Sequence, residues 1–125
     1  MYKQLITIAA ITIGMATMSA CSEQKGVSFA KDVHPILQKE CMECHAKGKE
    51  GQVKSGLSMD SYAELMAGTN YGPVIEPGSA VSSTLVRLID HKADETINMP
   101  HNKAKISQDE IKTIKQWIDE GAKNN

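Results

Sequence analysis

Several things are scarce in this chain, and each scarcity excludes something. It has three cysteines, an odd number, so a disulfide framework would leave one thiol unpaired. There is no second C-x-x-C pair to complete a four-ligand zinc site at short spacing. Aromatic residues make up 4% of the chain, and beyond the N-terminal stretch they are Phe29, Tyr62, Tyr71 and Trp117. A formal net charge of −1 argues against nucleic acid or an anionic lipid surface as the main partner. No internal repeat or low-complexity tract is present, and no segment sustains the alternation of apolar and polar residues that a strand requires. The expected fold class is therefore all-α.

Long apolar runs are also missing. Leu5 to Met18 is apolar apart from threonines and Gly14, but these fourteen residues fall short of the roughly 20 that a helix needs to cross about 30 Å of hydrocarbon. With Lys3 ahead of it, the run reads as the apolar region of a signal peptide. It ends in Met18-Ser19-Ala20-Cys21, which resembles a bacterial lipoprotein cleavage box, with methionine where leucine is usual. On this reading residues 1–20 are a lipoprotein signal peptide, residues 21–27 a polar tether carrying lipid on Cys21, and residues 28–125 one small domain. About 105 residues would remain after cleavage, near the size at which a core alone becomes marginal.

What the chain does have is Cys41-Met42-Glu43-Cys44-His45. In C-x-x-C-H, two thiols can add to the two vinyl groups of one haem and the adjacent histidine can ligate its iron. Zinc binding, a redox dithiol and chance are the rivals. The cysteine count favours haem: lipid on Cys21 and haem on Cys41 and Cys44 leave no thiol over. A large porphyrin would also supply core that the few aromatics do not, although any small helical domain fits the same composition.

Local signals place the elements. Asp32 is a plausible N-cap with Pro35 in the first turn, and Val33, Ile36 and Leu37 form an apolar face leading into Cys41; the alternative is a longer helix from Ser28, kinked at Pro35. Residues 46–58, rich in Gly and Lys, read as loop. Asp60 or Ser61 caps a short helix to Ala67, closed by Gly68, with Met59, Leu65 and Met66 as core. Gly72-Pro73 and Pro77-Gly78 mark turns, and Ser79 begins a helix to about Asp90 with Leu85, Leu88 and Ile89 inward. Ser107-Gln108-Asp109-Glu110 is a capping box, flanked by Ile106 and Ile111 as a hydrophobic staple, for a last helix with Ile111, Ile114 and Ile118 on one face and Gly121 at its end.

A haem iron held by His45 needs a sixth ligand or an open site. Met99 stands beside Pro100 on a connection, where a methionine has little core reason to exist, and thioether is a normal sixth ligand in electron-transfer cytochromes. Met42 lies inside the motif and is poorly aimed; Met59 and Met66 are better explained as core. His91 and His101 flank Met99 and are the rival ligands, each more often a solvated histidine. His34 is expected to be exposed or to touch the site indirectly.

Taken together, Ser28-Phe29, Asp32-Val33, Pro35-Ile36-Leu37 and C-x-x-C-H resemble the start of class I-like bacterial c-type cytochrome domains of the planctomycete type. Gly56-Leu57-x-Met59-Asp60-Ser61-Tyr62, Gly72-Pro73-Val74-Ile75-x-Pro77-Gly78-Ser79, Met99-Pro100 and Ile111-x-x-Ile114-x-x-Trp117-Ile118-x-x-Gly121-Ala122 continue the likeness, over nearly all of residues 28–123. The resemblance implies a small cytochrome c-like helical domain wrapped around one covalent haem c, with Cys41 and Cys44 as attachment points, His45 as the proximal ligand and Met99 as the distal one. Where the family commonly has a second proline after Met-Pro, this chain has His101.

The function this implies is a periplasm-facing carrier of single electrons between redox proteins, not an enzyme. A His–Met site changes little in geometry between oxidation states, which suits outer-sphere transfer. An open-site haem enzyme or gas sensor is one alternative, and a dedicated electron-transfer subunit of a larger membrane-attached complex is another. A single C-x-x-C-H weighs against a two-haem peroxidase. Lys39, Lys47, Lys49 and Lys54 could form a docking rim for an acidic partner, but Glu40, Glu43 and Glu50 interleave with them. Ser22 in place of the usual retention aspartate inclines the expected location to the outer membrane facing the periplasm, with the outer face of the inner membrane as the alternative.

Overall fold

The computed structural model describes residues 26–125; the expected signal peptide, Cys21 and most of the expected tether lie outside the described residues. Among those residues there is no β-strand, only an isolated bridge between Thr69 and Gly72. The helices are α1 (His34–Glu40), α2 (Met42–His45), α3 (Glu50–Ser55), α4 (Tyr62–Ala67), α5 (Thr84–Ile89) and α6 (Gln108–Asp119). The all-α expectation holds. None of these helices is long and apolar enough to cross a membrane.

The first helical segment starts earlier than Asp32. A π turn, Phe29–Val33, precedes α1, and its N-cap is Ser28, whose Oγ accepts the Lys31 N–H. Asp32 instead accepts the Ser28 N–H at 2.8 Å. The wide turn shows in Val33 N–H reaching Ser28 O and His34 N–H reaching Phe29 O. It sits just ahead of Pro35, which has no N–H to give the preceding turn, so the ladder is rearranged there rather than broken. The earlier helical start of the alternative reading, at Ser28, is the one observed, as a π turn that runs into α1.

The stretch expected as loop between residues 46 and 58 contains α3. It buries no residue, and its stability is local: Lys54 pairs with Glu50 one turn back at 2.6 Å, Ser55 Oγ bonds Gly51 O, and Gly56 ends it at φ 80°. A helix with no buried face leaves no periodic apolar signal to read. α5 begins at Thr84 rather than Ser79, because Ser79 to Ser82 forms a turn in which Ser79 Oγ accepts the Ser82 N–H. α4 and α6 follow expectation, with Ser61 capping the first. In the second, the reciprocal Ser107–Glu110 capping box is present.

The core is built where the start of the domain, α4 and α6 meet. Val33, Leu37, Leu65, Ile111, Ile114, Trp117 and Ile118 are buried together. Three of the four scarce aromatics converge there: Phe29 lies 5.4 Å from Trp117 and 5.3 Å from Tyr62, the latter edge-on. Their polar handles are satisfied, Trp117 Nε1 donating to Lys123 O and Tyr62 Oη to Ala122 O. Asn125 closes the unit by accepting from Ser28, Phe29 and Ala30, and Glu120 accepts the Val27 N–H. Val27 is thus pinned beside the C-terminal end of α6.

Candidate haem site

Cys41, Cys44 and His45 are brought together by helical geometry. Cys41 bonds back to Leu37 O, and Cys44 N–H and His45 N–H both bond Cys41 O, at 3.1 and 2.9 Å. Residues at i, i+3 and i+4 of a helix share a face, so both thiols and the imidazole belong to one side of this short element. The thiols are not joined in a disulfide; Cys41 is half-buried and Cys44 exposed. Burial, with the charges of Glu40 and Glu110 behind it, pushes the Cys41 thiol up to about 12. A redox dithiol works through a depressed thiol, so that reading loses support. Among the described residues no three His, Cys, Asp or Glu side chains gather as a metal cluster.

His45 is buried, and its Nδ1 lies 3.2 Å from Leu57 O. A carbonyl can only accept, so Nδ1 carries a proton, and in the neutral ring Nε2 is the nitrogen with the lone pair. That is the tautomer a metal-binding histidine uses, its second nitrogen oriented by a backbone oxygen. The segment after α3 does this work: Ser55 Oγ and the turn at Gly56 direct Leu57 inward, while Met59 N–H returns to His45 O at 2.9 Å. Leu57 and Met59 are both buried. No residue type announced Leu57 as a site residue, since its contribution is a main-chain oxygen. The donor set of two unpaired thiols and one tautomerically fixed imidazole on a common face fits a covalent haem.

Met99 lies on the connection between α5 and α6, half-buried against the core. Its N–H donates to Leu88 O at 3.1 Å, and its C=O accepts from His91 Nε2 at 3.0 Å. His91 therefore spends one ring nitrogen on the backbone of the residue it was expected to rival. His101 is exposed in a turn. Met59 is buried and Met66 half-buried against the core, as expected for packing residues; Met42 is half-buried within the motif itself. His34 is half-buried with its ring 5.6 Å from Phe29. The α5–α6 connection returns to the motif through Lys103, whose ammonium pairs with Glu43.

The lysines around the motif are mostly compensated. Lys39 bridges Glu40 and Glu110, Lys54 pairs with Glu50, and Glu43 is taken by Lys103. Lys47 and Lys49 make no ion pair among the described residues. This is a mixed, solvated surface rather than a single-signed rim.

Residues 41–102 match the planctomycete cytochrome C family. The chain is also similar to hydrazine synthase subunit alpha of Kuenenia stuttgartiensis, 29% identical over an alignment of 128 positions, gaps included, that covers 80% of this chain and 16% of that protein. The solved structure of Kuenenia stuttgartiensis hydrazine synthase superposes with a TM-score of 0.55 at 28% identity, covering 77% of this chain and 16% of that one. The present chain thus spans about one sixth of the relative it matches, the extent of a single module. The family match begins on Cys41 and ends at residue 102, so it takes in the helical motif, the Leu57 segment and the part of the α5–α6 connection that carries Met99. On that match, together with the helical fold, residues 41–102 of this chain are similar to the planctomycete cytochrome C family, a family of haem-binding domains.

Proposed function

We propose that the chain is an exported, lipid-anchored monohaem c-type cytochrome that passes single electrons between redox proteins. It is not itself an enzyme on this reading. Cys41 and Cys44 would hold the one haem by thioether bonds, and His45 and Met99 would ligate its iron. Cys21 carries the lipid, and the domain faces the periplasm from the outer membrane. The observation that carries the proposal is the buried His45, protonated on Nδ1 by its bond to Leu57 O and sharing a helical face with two unpaired thiols.

When bound, the haem supplies a one-electron ferric–ferrous couple whose potential a thioether ligand raises. The chain's own residues do the rest. Leu57 O keeps the His45 ring in one tautomer and one orientation. Leu88 O and His91 fix the backbone of Met99. The partly compensated charge around the motif favours small, transient encounters over a permanent charged dock.

A second reading has a specific observation behind it. The similarity to one sixth of an enzyme subunit supports a role as a dedicated electron-transfer subunit of a larger membrane-attached assembly. Recovery of a stoichiometric partner under mild detergent would favour that reading over a tethered shuttle.

The test is the absorption spectrum of the exported protein beside Met99→Ala and His101→Ala. The methionine–ferric charge-transfer band is expected in the wild type, lost in Met99→Ala and kept in His101→Ala. A high-spin oxidised spectrum, or rapid carbon monoxide binding to reduced wild type, would overturn the closed-site proposal in favour of an open-site haem enzyme or sensor.

A further inference from the structure

His91 is not part of the ligand set, yet its side chain is spent on the ligand connection. It sits just past the end of α5 at φ 53°, in the left-handed region that non-glycine residues seldom occupy. Its N–H donates to Leu88 O at 3.2 Å, the same carbonyl that accepts the Met99 N–H at 3.1 Å. Its Nε2 reaches Met99 O at 3.0 Å. Because Met99 O can only accept, Nε2 is the donor.

Leu88, His91 and Met99 therefore close a ring of three hydrogen bonds in which both polar groups of the Met99 backbone are engaged. One anchor is a carbonyl at the C-terminal end of a packed helix; the other is a side chain held half-buried. Pro100 follows and contributes no N–H of its own. Among the described residues no other hydrogen bond reaches the Met99 backbone. Asn98 is bonded to Ala93, and Asp94 to Thr96, within the same connection, so their contacts shape it without tying it to a helix.

We infer that His91 is a positioning residue for the distal methionine: its Nε2–H bond to Met99 O holds the ligand backbone so that the thioether stays on iron. The inference rests on the reading of Met99 as the distal ligand. It replaces His91 as a competitor for the metal with His91 as the clamp that keeps a competitor off.

The left-handed backbone and the hydrogen bond can be separated. Asparagine tolerates φ near 53° but its amide falls short of the position of Nε2, whereas the glutamine amide nitrogen lies the same number of bonds from Cα as histidine Nε2. The experiment is imidazole titration of the ferric, haem-loaded full chain, reading loss of the methionine–ferric band, in wild type, His91→Asn and His91→Gln, with Met99→Ala as reference. One neutral hydrogen bond corresponds to displacement of the thioether at about fivefold lower imidazole in His91→Asn. His91→Gln is expected to return to the wild-type midpoint. A wild-type midpoint in His91→Asn overturns the inference, and so does an equal defect in both variants. Absence of the band in wild type, or its survival in Met99→Ala, is a different signature: it removes the distal-ligand reading and the inference with it.

Discussion

At the scale of single residues, Trp117 shows how few aromatics are made to suffice. It is 1% exposed, touches both Phe29 and Tyr62, and has its indole N–H satisfied by Lys123 O. Trp117→Phe removes ring volume and one hydrogen bond, a loss of about 2 kcal/mol. The urea midpoint of the haem-loaded protein should fall with its slope unchanged, and the haem spectrum should not move. His45 and Leu57 illustrate the opposite kind of dependence. The histidine was legible from C-x-x-C-H, but the oxygen that sets its tautomer belongs to a leucine, and a main-chain contact leaves no mark on residue type.

At the scale of elements, the connection between α5 and α6 is held at both ends by one carboxylate. Asp90, 10% exposed, pairs with Lys105 at 2.6 Å and Lys92 at 2.9 Å, and these hydrogen bonds lower its pKa to about 2. Its folded pKa lies below the ordinary value of 3.8, so its stabilising effect is complete above pH 3.8 and is lost as pH falls towards 2. Solvent around the lysines limits that effect to about 1 kcal/mol. Asp90→Asn should therefore be less stable at neutral pH, and the difference from wild type should vanish in acid unfolding curves between pH 4 and 2. Neither the Asp90 pairing nor the His91 clamp was readable beforehand, because lysines 2 and 15 positions away meet Asp90 only once the chain turns back. α6 was readable to the residue, since its cap, staple and apolar face are all local. α3 was missed for the complementary reason: it is a helix with nothing buried.

At the scale of the whole molecule, the described 100 residues hold one core with three converging aromatics, which leaves little stability to spare. A covalent haem would add buried apolar surface and tie α2 to the rest of the chain. The Cys41→Ser, Cys44→Ser double variant should lose covalent haem and, with it, a sharp thermal transition, while keeping helical signal in the far ultraviolet. An unchanged, cooperative transition in that variant would show that the polypeptide core stands without the cofactor. At the other end of the chain, Cys21→Ala should abolish globomycin-sensitive processing, the expected outcome if lipid anchors the domain.

What the sequence by itself determined is what short-range chemistry can write: a C-x-x-C-H spacing, a capping box, an apolar helical face, proline and glycine at turns. Those features act within one or two turns of chain, so their meaning survives without a fold. Only the tertiary structure decided which nitrogen of His45 is left open and what His91 does. Both depend on carbonyl groups delivered from elsewhere, Leu57 O across a loop and Met99 O across a connection. Every residue except its side chain offers the same carbonyl, and only packing says which one arrives.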